Sequence, residues 1–369
     1  MEIRSLWESR KVLSLLKIRR YRNLNSPPRV ILFPVIWVTN RCNLRCRMCD
    51  QWRTDSSLLS QELKTKEWFS IIDSAYQMCS AVISIAGGEP LLRSDIFDIL
   101  SYIHRKGLVS HLVTNGTLLN EDTVNRLKRS GVNSISVSLD SYIPEIHNNI
   151  RGVDCFNSVV KGIGFLKRNI SGVKIGINYV ITKQNFLNMY RMISFAEKLE
   201  VNQIKFDPIY TNLIHRRKSL SSFEDLIFDE DDLPELDREI DKLIRVSSKT
   251  KLLTNSSFFL KGMLNLYKGQ LQKLRCYAGY ISCSIDPLGW VSPCENFDGN
   301  ENIRDKPLEK IWRSSSFQKL RQKVHACRAN CWDTTHGELN IRCSLKGGVK
   351  EFSRIFKELD YYFHNAREK

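Results

Sequence analysis

The sequence predicts an α/β fold, a parallel sheet with helices on its outside, followed by a smaller cysteine-rich unit. Short β-branched runs alternate six times with segments of helical length between residues 31 and 247. Such alternation is typical of parallel strands that are connected by right-handed helical crossovers. After about residue 250 the alternation stops and cysteines and turn residues become frequent, so we expect a second, smaller domain there.

Each strand and helix is predicted from its own residue pattern. Runs rich in β-branched residues and bounded by turn residues predict strands at 31–38, 81–86, 110–114, 134–139, 174–181 and 203–207. Apolar residues at helical spacing predict helices at 60–79, 95–106, 120–130, 156–168, 186–199 and 232–247. Functional residues of such sheets lie at the carboxyl ends of the strands.

The composition is basic and rich in cysteine. The 369 residues include 56 Lys and Arg against 40 Asp and Glu, and the net charge of +16 favours anionic partners such as nucleotide groups, a membrane surface or nucleic acid. The longest apolar run, residues 30–38, is too short to span a membrane, and the N-terminus lacks a secretory signal pattern. We therefore expect a cytoplasmic protein, in which eleven cysteines indicate metal binding or catalysis rather than disulfides.

Residues 1–28 carry apolar side chains among seven arginines and lysines. This pattern predicts a basic amphipathic helix, which either makes a peripheral contact with a membrane or packs against the main domain. Beyond this helix no basic run is interleaved with aromatic residues, so nucleic acid is the least favoured anionic partner.

Three cysteines are crowded into the segment that follows the first strand. Cys42, Cys46 and Cys49 stand at C-x3-C-x2-C in "VTNRCNLRCRMCDQW". Tetrahedral zinc and iron–sulfur clusters take four thiolate or imidazole ligands, and no histidine is close enough in the sequence to be the fourth. Three protein ligands leave one metal position open to an exogenous ligand, which makes a structural zinc site the weaker explanation.

With the motifs after the later strands, this segment resembles the radical S-adenosylmethionine (SAM) superfamily. The signature C-x3-C-x-Φ-C is matched by "CNLRCRMC", with Met48 at Φ. The other family motifs recur in order at the predicted strand ends: "GGEP" from Gly87, "TNG" from Thr114, "SVSLDS" from Ser136, "IRG" from Ile150 and "NYVITKQN" from Asn178. The resemblance covers residues 33 to about 210.

The resemblance implies a 4Fe–4S cluster on the three cysteines, whose open iron is chelated by the amino and carboxylate groups of SAM. An electron from a flavodoxin- or ferredoxin-like reductant then cleaves SAM, and the 5′-deoxyadenosyl radical abstracts a hydrogen atom from substrate. The candidate SAM-binding residues are Met48, Gly87, Gly88, Glu89, Pro90, Thr114, Asn115, Ser138, Asp140, Arg151 and Asn178.

Particular contacts are expected for some of these residues. Gly87 and Gly88 let the backbone approach the methionine moiety, because they have no β-carbon, and Glu89 accepts from its ammonium group. Arg151 is a candidate partner of the SAM carboxylate, with a solvated arginine as the alternative. Met48 lies against the adenine or, alternatively, packs in the core.

The second cysteine group resembles the SPASM/Twitch extension of radical SAM enzymes. Cys276, Gly289 and Cys294 give C-x12-G-x4-C with "DPLG" as a hairpin turn, and "CRANC" supplies Cys327 and Cys331. The resemblance implies one auxiliary 4Fe–4S cluster, held by these four cysteines, that serves as an electron conduit. Two alternatives remain open: either Cys283 or Cys343 replaces one ligand, or the group is a zinc ribbon. If Cys283 is not a ligand, its place on the hairpin's alternating face predicts a packed residue.

The substrate is less constrained by the sequence. Peptide-modifying relatives often carry a leader-binding domain ahead of the barrel, and the 41 residues before Cys42 are too few for one. We therefore expect a small molecule, such as a nucleotide- or lipid-linked sugar or aminocyclitol; the alternative is a peptide recognised with a separate leader-binding protein. No catalytic acid or base is assigned, and the rim candidates are Tyr210, Asp207, Lys205 and Cys283.

These observations together predict a partial (β/α)6 TIM-like barrel with a small C-terminal cysteine-rich β-hairpin/helix domain. The expected boundaries are a basic helix at 1–28, the barrel at 29–250, and a SPASM/Twitch-like domain at 251–369 that ends in a helix. A non-catalytic iron–sulfur carrier would explain the cysteines but not the "GGEP" motif, so the sequence favours an enzyme.

Overall fold

The computed structural model describes residues 17–209, 224–247, 249–270, 274–328 and 331–344. Three expectations therefore lie wholly or partly outside the described residues. These are most of the N-terminal helix, the C-terminal helix after residue 344, and the rim candidate Tyr210.

The described residues form a nine-stranded sheet in the order β6-β5-β4-β3-β2-β1-β7-β8-β9. Its first six strands are parallel, and each lies within two residues of its predicted bounds: β1 Phe33–Trp37, β2 Val82–Ala86, β3 Val109–Thr114, β4 Ser134–Ser138, β5 Lys174–Ile181 and β6 Gln203–Pro208. The parallel sheet and its connecting helices confirm the predicted partial TIM-like barrel.

The six predicted helices are also present, at Thr65–Gln77, Ile96–Arg105, Glu121–Ser130, Phe156–Asn169, Met189–Lys198 and Leu233–Ser247. Two further helices, Pro144–Arg151 and Ser257–Tyr267, were not predicted. The first is only eight residues long, which is too short for a clear apolar period. It begins at Pro144 and ends at Gly152, whose φ of 68° is left-handed, so a proline start and a glycine stop were its signals.

The alternation along each strand separates two environments. One face of the sheet packs against the helices in the main apolar core, which includes Ile36, Ile85, Leu112, Ile135 and Ile177, all fully buried. The alternate residues point to the inside of the barrel, and most of them are polar: Ser84, Ser134, Ser136, Ser138, Asn178, Gln203, Lys205, Asp207, Ser282 and Ser284.

The cysteine-rich part continues the barrel's sheet. Strand β7, Ser282–Ile285, pairs in parallel with β1, and β8, Trp290–Ser292, returns antiparallel to it through the predicted "DPLG" turn. Strand β9, Glu301–Asn302, completes the sheet. Other helices lie at Ser56–Leu59, Leu308–Arg313, Ser315–Ala326 and His336–Cys343.

The free edge of β6 is covered by residues that follow the last barrel helix. The Ile204 N–H donates to the Leu252 carbonyl at 2.8 Å, and the Asn255 side chain bonds both backbone groups of Phe206. The Ser256 N–H donates to Glu338, at 2.7 Å, so the last described helix is tied to this edge. The C-terminal part thus closes the open side of the partial barrel.

The described end of the N-terminal segment packs against the C-terminal part. Residues 17–23 are helical, and Ile18 is buried in a small apolar cluster with Tyr277 and Tyr280. The Arg22 Nε donates to the Cys276 carbonyl at 2.8 Å. Of the two predicted placements for this segment, these contacts favour packing on the main body. No helix among the described residues has both the length and the apolar character needed to cross a membrane.

Candidate functional site

The loop that carries Cys42, Cys46 and Cys49 begins directly after β1 and is fixed by Glu62. The Glu62 carboxylate accepts hydrogen bonds from the Thr39 hydroxyl at 2.9 Å and from the Asn40 N–H at 2.7 Å. Nothing in the sequence around Glu62 indicated this role. It holds the start of the loop at the carboxyl end of the first strand.

The "GGEP" motif contacts the same loop through its backbone. The Gly88 N–H donates to the Thr39 carbonyl at 2.8 Å and the Glu89 N–H to the Arg41 carbonyl at 2.7 Å. A β-carbon at Gly88 would lie 2.3 Å from the Arg41 carbonyl oxygen, and one at Gly87 would lie 2.6 Å from that of Thr39. Glycine is therefore required at both positions so that the "GGEP" segment and the cysteine loop can approach each other.

The "IRG" motif contacts the far side of the loop. The Arg45 N–H donates to the Arg151 carbonyl at 3.3 Å, and the Arg47 N–H donates to that of Ile150 at 3.0 Å. A β-carbon at Gly152 would lie only 2.3 Å from the Arg45 carbonyl oxygen. The cysteine loop is thus clamped between two motifs that are far apart in the sequence.

The three thiols of this loop lie near one another. The negative charge of a Cys49 thiolate raises the pKa of both Cys42 and Cys46, which requires short distances between them. Burial raises the pKa of Cys42 and raises that of Cys46 to about 11. Arg151 Nη1 lies 3.8 Å from the Cys46 sulfur, and the Gln51 N–H donates to the Cys49 sulfur at 3.4 Å. Donors aimed at cysteine sulfurs fit cluster ligation, because such bonds stabilise the thiolate form.

Glu89 lies fully buried at the centre of the rim. Its carboxylate accepts from the Leu91 N–H at 3.0 Å, the Thr114 hydroxyl at 2.8 Å and the Asn115 N–H at 2.7 Å. Burial outweighs these three bonds and raises the pKa of Glu89 to about 7. The "GGEP" and "TNG" motifs therefore meet in one hydrogen-bonded cluster, as their places after neighbouring strands predict.

Asp140 and Arg151 form a buried ion pair beside the cysteines. Arg151 Nε lies 2.6 Å from Asp140 Oδ2, and the other Asp140 oxygen accepts from the Val180 N–H at 2.9 Å. The Asp140 N–H donates to His147 Nδ1 at 3.2 Å, and burial lowers the pKa of His147 to about 4. This neutral histidine was not recognised from the sequence, because one polar residue within a short helix carries no distinctive pattern.

The remaining predicted SAM-site residues lie on the same rim. Ser138 pairs in register with Asn178, and Asn178 pairs with Lys205, so the three side chains lie side by side and face the barrel interior. Pro90 is buried and starts a short 3-10 turn after Glu89. Met48 is half-buried against both the cysteine loop and the apolar cluster around Ile150.

The second cysteine group gathers behind the barrel's open side. The charge of Cys327 acts on Cys276 and Cys331, and that of Cys276 acts on Cys294 and Cys331. The Asn296 side-chain amide donates to the Cys331 sulfur at 2.7 Å. Burial raises the pKa of Cys276 to about 11. The four cysteines chosen from the sequence are thus brought together, and their sulfurs also meet a hydrogen-bond donor.

Cys283 and Cys343 lie elsewhere. Cys283 is 1% exposed in the main apolar core, on the face of β7 that packs against the helices. Its placement among the rim candidates was therefore wrong, since its side chain points away from the barrel interior. Cys343 is buried in the cluster with Tyr277. Among the described residues no set of His, Cys, Asp and Glu side chains converges on a single metal ion, whereas a four-iron cluster bonds each cysteine through a different iron.

Polar groups from both parts of the chain meet inside the barrel. Asp207, at the carboxyl end of β6, accepts from the Thr334 N–H at 2.8 Å and from its hydroxyl at 3.1 Å. His336 Nδ1 lies 3.2 Å from Asp333 and its Nε2 lies 3.5 Å from the Ser282 hydroxyl. Burial raises the pKa of Asp207 to about 6. The segment after Cys331 therefore forms one wall of the interior, which spacing alone did not reveal.

Comparison with known proteins agrees with this geometry. The Radical SAM superfamily matches residues 36–194, and SPASM, an iron–sulfur cluster-binding domain, matches residues 276–332. An AdoMet-dependent heme synthase of Methanosarcina barkeri is 27% identical over 310 residues, which cover 81% of this chain and 86% of the relative. The mycofactocin maturase MftC of Mycobacterium tuberculosis is 28% identical over 303 residues, 79% of this chain and 73% of the relative.

The fold also matches a solved structure. Streptococcus suis SuiB bound to the precursor peptide SuiA superimposes with a TM-score of 0.65 at 19% identity, over 89% of this chain and 76% of that chain. At this identity the match concerns the fold alone.

Fold, motifs and clustered cysteines define an enzyme that carries out radical-based modification of its substrate. The chain belongs to the radical SAM superfamily and has a C-terminal SPASM domain. Its cofactors are SAM, a 4Fe–4S cluster and an auxiliary iron–sulfur cluster.

Proposed function

We propose that this enzyme oxidises a C–H bond of a peptide substrate. The expectation of a small sugar-like molecule is the weaker of the two substrate hypotheses, because MftC, a maturase, aligns over 79% of this chain. The observation that carries the proposal within the structure is the polar interior of the barrel.

That interior suits a substrate rich in amide groups. Ser136, Gly176 and Gln203 are register neighbours on three adjacent strands. The Ser136 hydroxyl and both amide atoms of Gln203 are buried and make no hydrogen bond within the described residues. Gly176 has no side chain that could bond them, and an unsatisfied buried polar group is costly, so we take a substrate amide as the partner of these groups.

The chain's own residues then have separate tasks. Cys42, Cys46 and Cys49 hold the first cluster, and the residues of "GGEP" and "TNG" with Ser138, Asp140, Arg151 and Asn178 position SAM. When bound, these cofactors supply a 5′-deoxyadenosyl radical that removes a hydrogen atom from the substrate. Buried, closely packed walls around the site protect that chemistry from water.

The second half of the oxidation falls to the C-terminal part. A substrate that has lost a hydrogen atom must lose one electron and one proton to become a closed-shell product. Cys276, Cys294, Cys327 and Cys331 hold the auxiliary cluster that takes the electron. We assign this proton to Asp207, because its side chain faces the barrel interior and burial raises its pKa to about 6, in the range that suits a general base.

A second candidate is the modification of an iron porphyrin. The heme synthase of Methanosarcina barkeri aligns over 86% of its own length, more than MftC does. A porphyrin is large, flat and mostly apolar, and its site needs apolar walls. The serine-rich interior of this barrel disfavours that candidate.

The experiment uses reconstituted enzyme, SAM and dithionite under anaerobic conditions. Three probes are compared: a mixture of synthetic deuterated peptides covering every residue type, Fe-coproporphyrin III, and a UDP-sugar. We expect deuterium from the peptides in 5′-deoxyadenosine, together with a peptide product that has lost two hydrogens. Heme formation from the porphyrin without peptide turnover would replace the proposal by the second candidate, and sugar oxidation alone would restore the small-molecule hypothesis.

A further inference from the structure

Three segments come together on one face beside the auxiliary cysteines. Residues 17–29, 274–279 and 315–328 contain ten lysines and arginines and no aspartate or glutamate. The other 46 lysines and arginines of the chain are nearly balanced by its 40 acidic residues. Most of the excess positive charge is therefore concentrated in these segments, which we call the basic face; Arg22 and Arg321 are buried within it.

Direct contacts hold the three segments together. Arg22 Nε donates to the Cys276 carbonyl at 2.8 Å, and Arg275 Nη1 donates to the Asn23 side chain at 2.9 Å. The Gln318 side-chain amide donates to the Asn25 carbonyl. The N-terminal segment therefore contacts both Cys276 and the helix Ser315–Ala326, and Val324 of that helix packs in one apolar cluster with Cys276.

Positive charges gather around His325 on this face and lack acidic partners. Burial lowers the pKa of His325, and the charges of Arg22, Arg275 and Arg328 lower it further, which places all three cations near it. Lys319 and Lys323 are exposed one turn apart on the helix Ser315–Ala326. Within the described part of the chain none of these five lysines and arginines forms an ion pair with a carboxylate.

The cluster cysteines reach this surface. Cys276, Cys327 and Cys331 are only half-buried, and Cys327 and its neighbour Arg328 end the basic face. Electrons cross between proteins efficiently only where a redox centre lies close to the docking surface. A patch of one charge also steers an oppositely charged partner to the surface before contact.

We propose that the basic face is the docking surface for an acidic one-electron carrier protein of the flavodoxin or ferredoxin class. One electron crosses in each encounter, so that the carrier is oxidised by one electron as a cluster of this enzyme is reduced by one, or the reverse. No bond or proton changes in that step. The inference rests on the proposed role of the four auxiliary cysteines.

Two other anionic occupants fit the surface less well. A membrane-binding face needs apolar side chains to insert, and Leu24, 64% exposed, is the one large apolar side chain exposed among the described residues of the basic face. Single-stranded nucleic acid is bound with stacked aromatic side chains, and no aromatic residue of the described basic face is exposed.

The test compares two double charge reversals. Lys319→Glu/Lys323→Glu changes the basic face, and Lys161→Glu/Lys167→Glu makes the same change of charge on the exposed side of the helix Phe156–Asn169. Stopped-flow absorbance follows the oxidation of reduced flavodoxin by each reconstituted holoenzyme at low and high salt. Dithionite-driven SAM cleavage is measured in parallel.

We expect the first variant to lower the second-order rate at low salt about tenfold or more and to flatten its salt dependence, with the control within about twofold of wild type. SAM cleavage with dithionite should be unchanged in both. Equal rates of flavodoxin oxidation for the two variants would overturn the inference. It would also be overturned if Lys319→Glu/Lys323→Glu left electron transfer unchanged but lost binding to anionic lipid vesicles or to tRNA. Failure of SAM cleavage in the wild type would instead count against the proposed function.

Discussion

Arg151 and Asp140 form a buried ion pair that links the segment after β4 to the cysteine loop. The guanidinium Nε lies 2.6 Å from the carboxylate, and Arg151 also lies 3.8 Å from the Cys46 sulfur through Nη1. Burial disfavours the charged guanidinium, but the charges of Asp140 and Cys46 outweigh this and raise the pKa of Arg151. One arginine thus pairs with the buried Asp140 carboxylate and also donates to the Cys46 sulfur.

We expect Arg151→Gln to lower the free energy of unfolding by about 3 kcal/mol, because it leaves Asp140 charged, buried and unpaired. Urea denaturation under anaerobic conditions measures this change. The matched control is Arg238→Gln, which removes an exposed ion pair with Glu235 and should cost less than about 1 kcal/mol. If Arg151→Gln costs no more than the control, the pair does not stabilise the fold.

Glu89 should make SAM binding depend on pH. Its pKa of about 7 means that the carboxylate, the better acceptor for the SAM amino group, becomes the main form as pH rises from 6 to 8. We expect the affinity of the wild type for SAM to rise over this range. The rise should be up to about tenfold larger than the rise in Glu89→Gln. Calorimetric titration of both proteins, with equal iron content as the control, measures this difference; parallel profiles would remove Glu89 from the SAM site.

Gly88 should be essential for the first cluster only. A β-carbon there would lie 2.3 Å from the backbone of Arg41, so Gly88→Ala must displace the cysteine loop. We expect iron per chain to fall from about eight to about four, because the auxiliary cluster remains. Gly107→Ala is the control, since its φ of 69° disfavours alanine through the backbone alone while no atom lies within 4 Å of the added carbon. Equal iron in both variants would contradict this role.

The sequence predicted the barrel accurately because each β-α unit has its own apolar period and turn residues. The same local reasoning placed Glu89, Thr114 and Asn115 at adjacent strand ends, and the structure joins them by hydrogen bonds. Contacts between distant segments carry no such pattern. Glu62 fixes the cysteine loop and Thr334 bonds to Asp207, yet neither residue differs from an ordinary surface residue in sequence.

The C-terminal part shows the same limit. The "DPLG" turn predicted the hairpin, but the pairing of β7 with β1 joins strands separated by more than two hundred residues. A strand of four residues is buried whichever neighbour it pairs with, so its apolar pattern does not select β1. Because that pairing decides which side chains face inward, the sequence left Cys283 both as a rim candidate and as a packed residue, and the structure places it in the core.

Substitution of an auxiliary cysteine should lower the iron bound per chain, whereas substitution of Cys283 should not. We expect Cys331→Ser to lower iron per chain from about eight to about four, and Cys283→Ala to retain all of it. The second change removes a buried sulfur from the apolar core, so it should lower stability by about 1 kcal/mol without affecting the clusters. Iron and labile sulfide assays of anaerobically reconstituted protein measure both. Loss of zinc rather than iron from Cys331→Ser would identify a zinc ribbon.

Asp207 should be needed for product formation but not for SAM cleavage. Asp207→Asn keeps an oxygen that accepts from the Thr334 N–H, so the wall of the interior should remain in place. It removes the group that takes the substrate proton, and we expect product formation to fall about a hundredfold while 5′-deoxyadenosine is still made. Thr334→Val is the matched control, because it removes the hydroxyl contact of 3.1 Å but leaves the carboxylate. Both products are quantified by mass spectrometry in one reaction.

If the two variants lose product formation equally, Asp207 acts by holding Thr334 in place. If only Asp207→Asn loses product formation while 5′-deoxyadenosine is still made, the carboxylate itself takes the proton. The rate of product formation by the wild type should then rise as the pH passes through about 6.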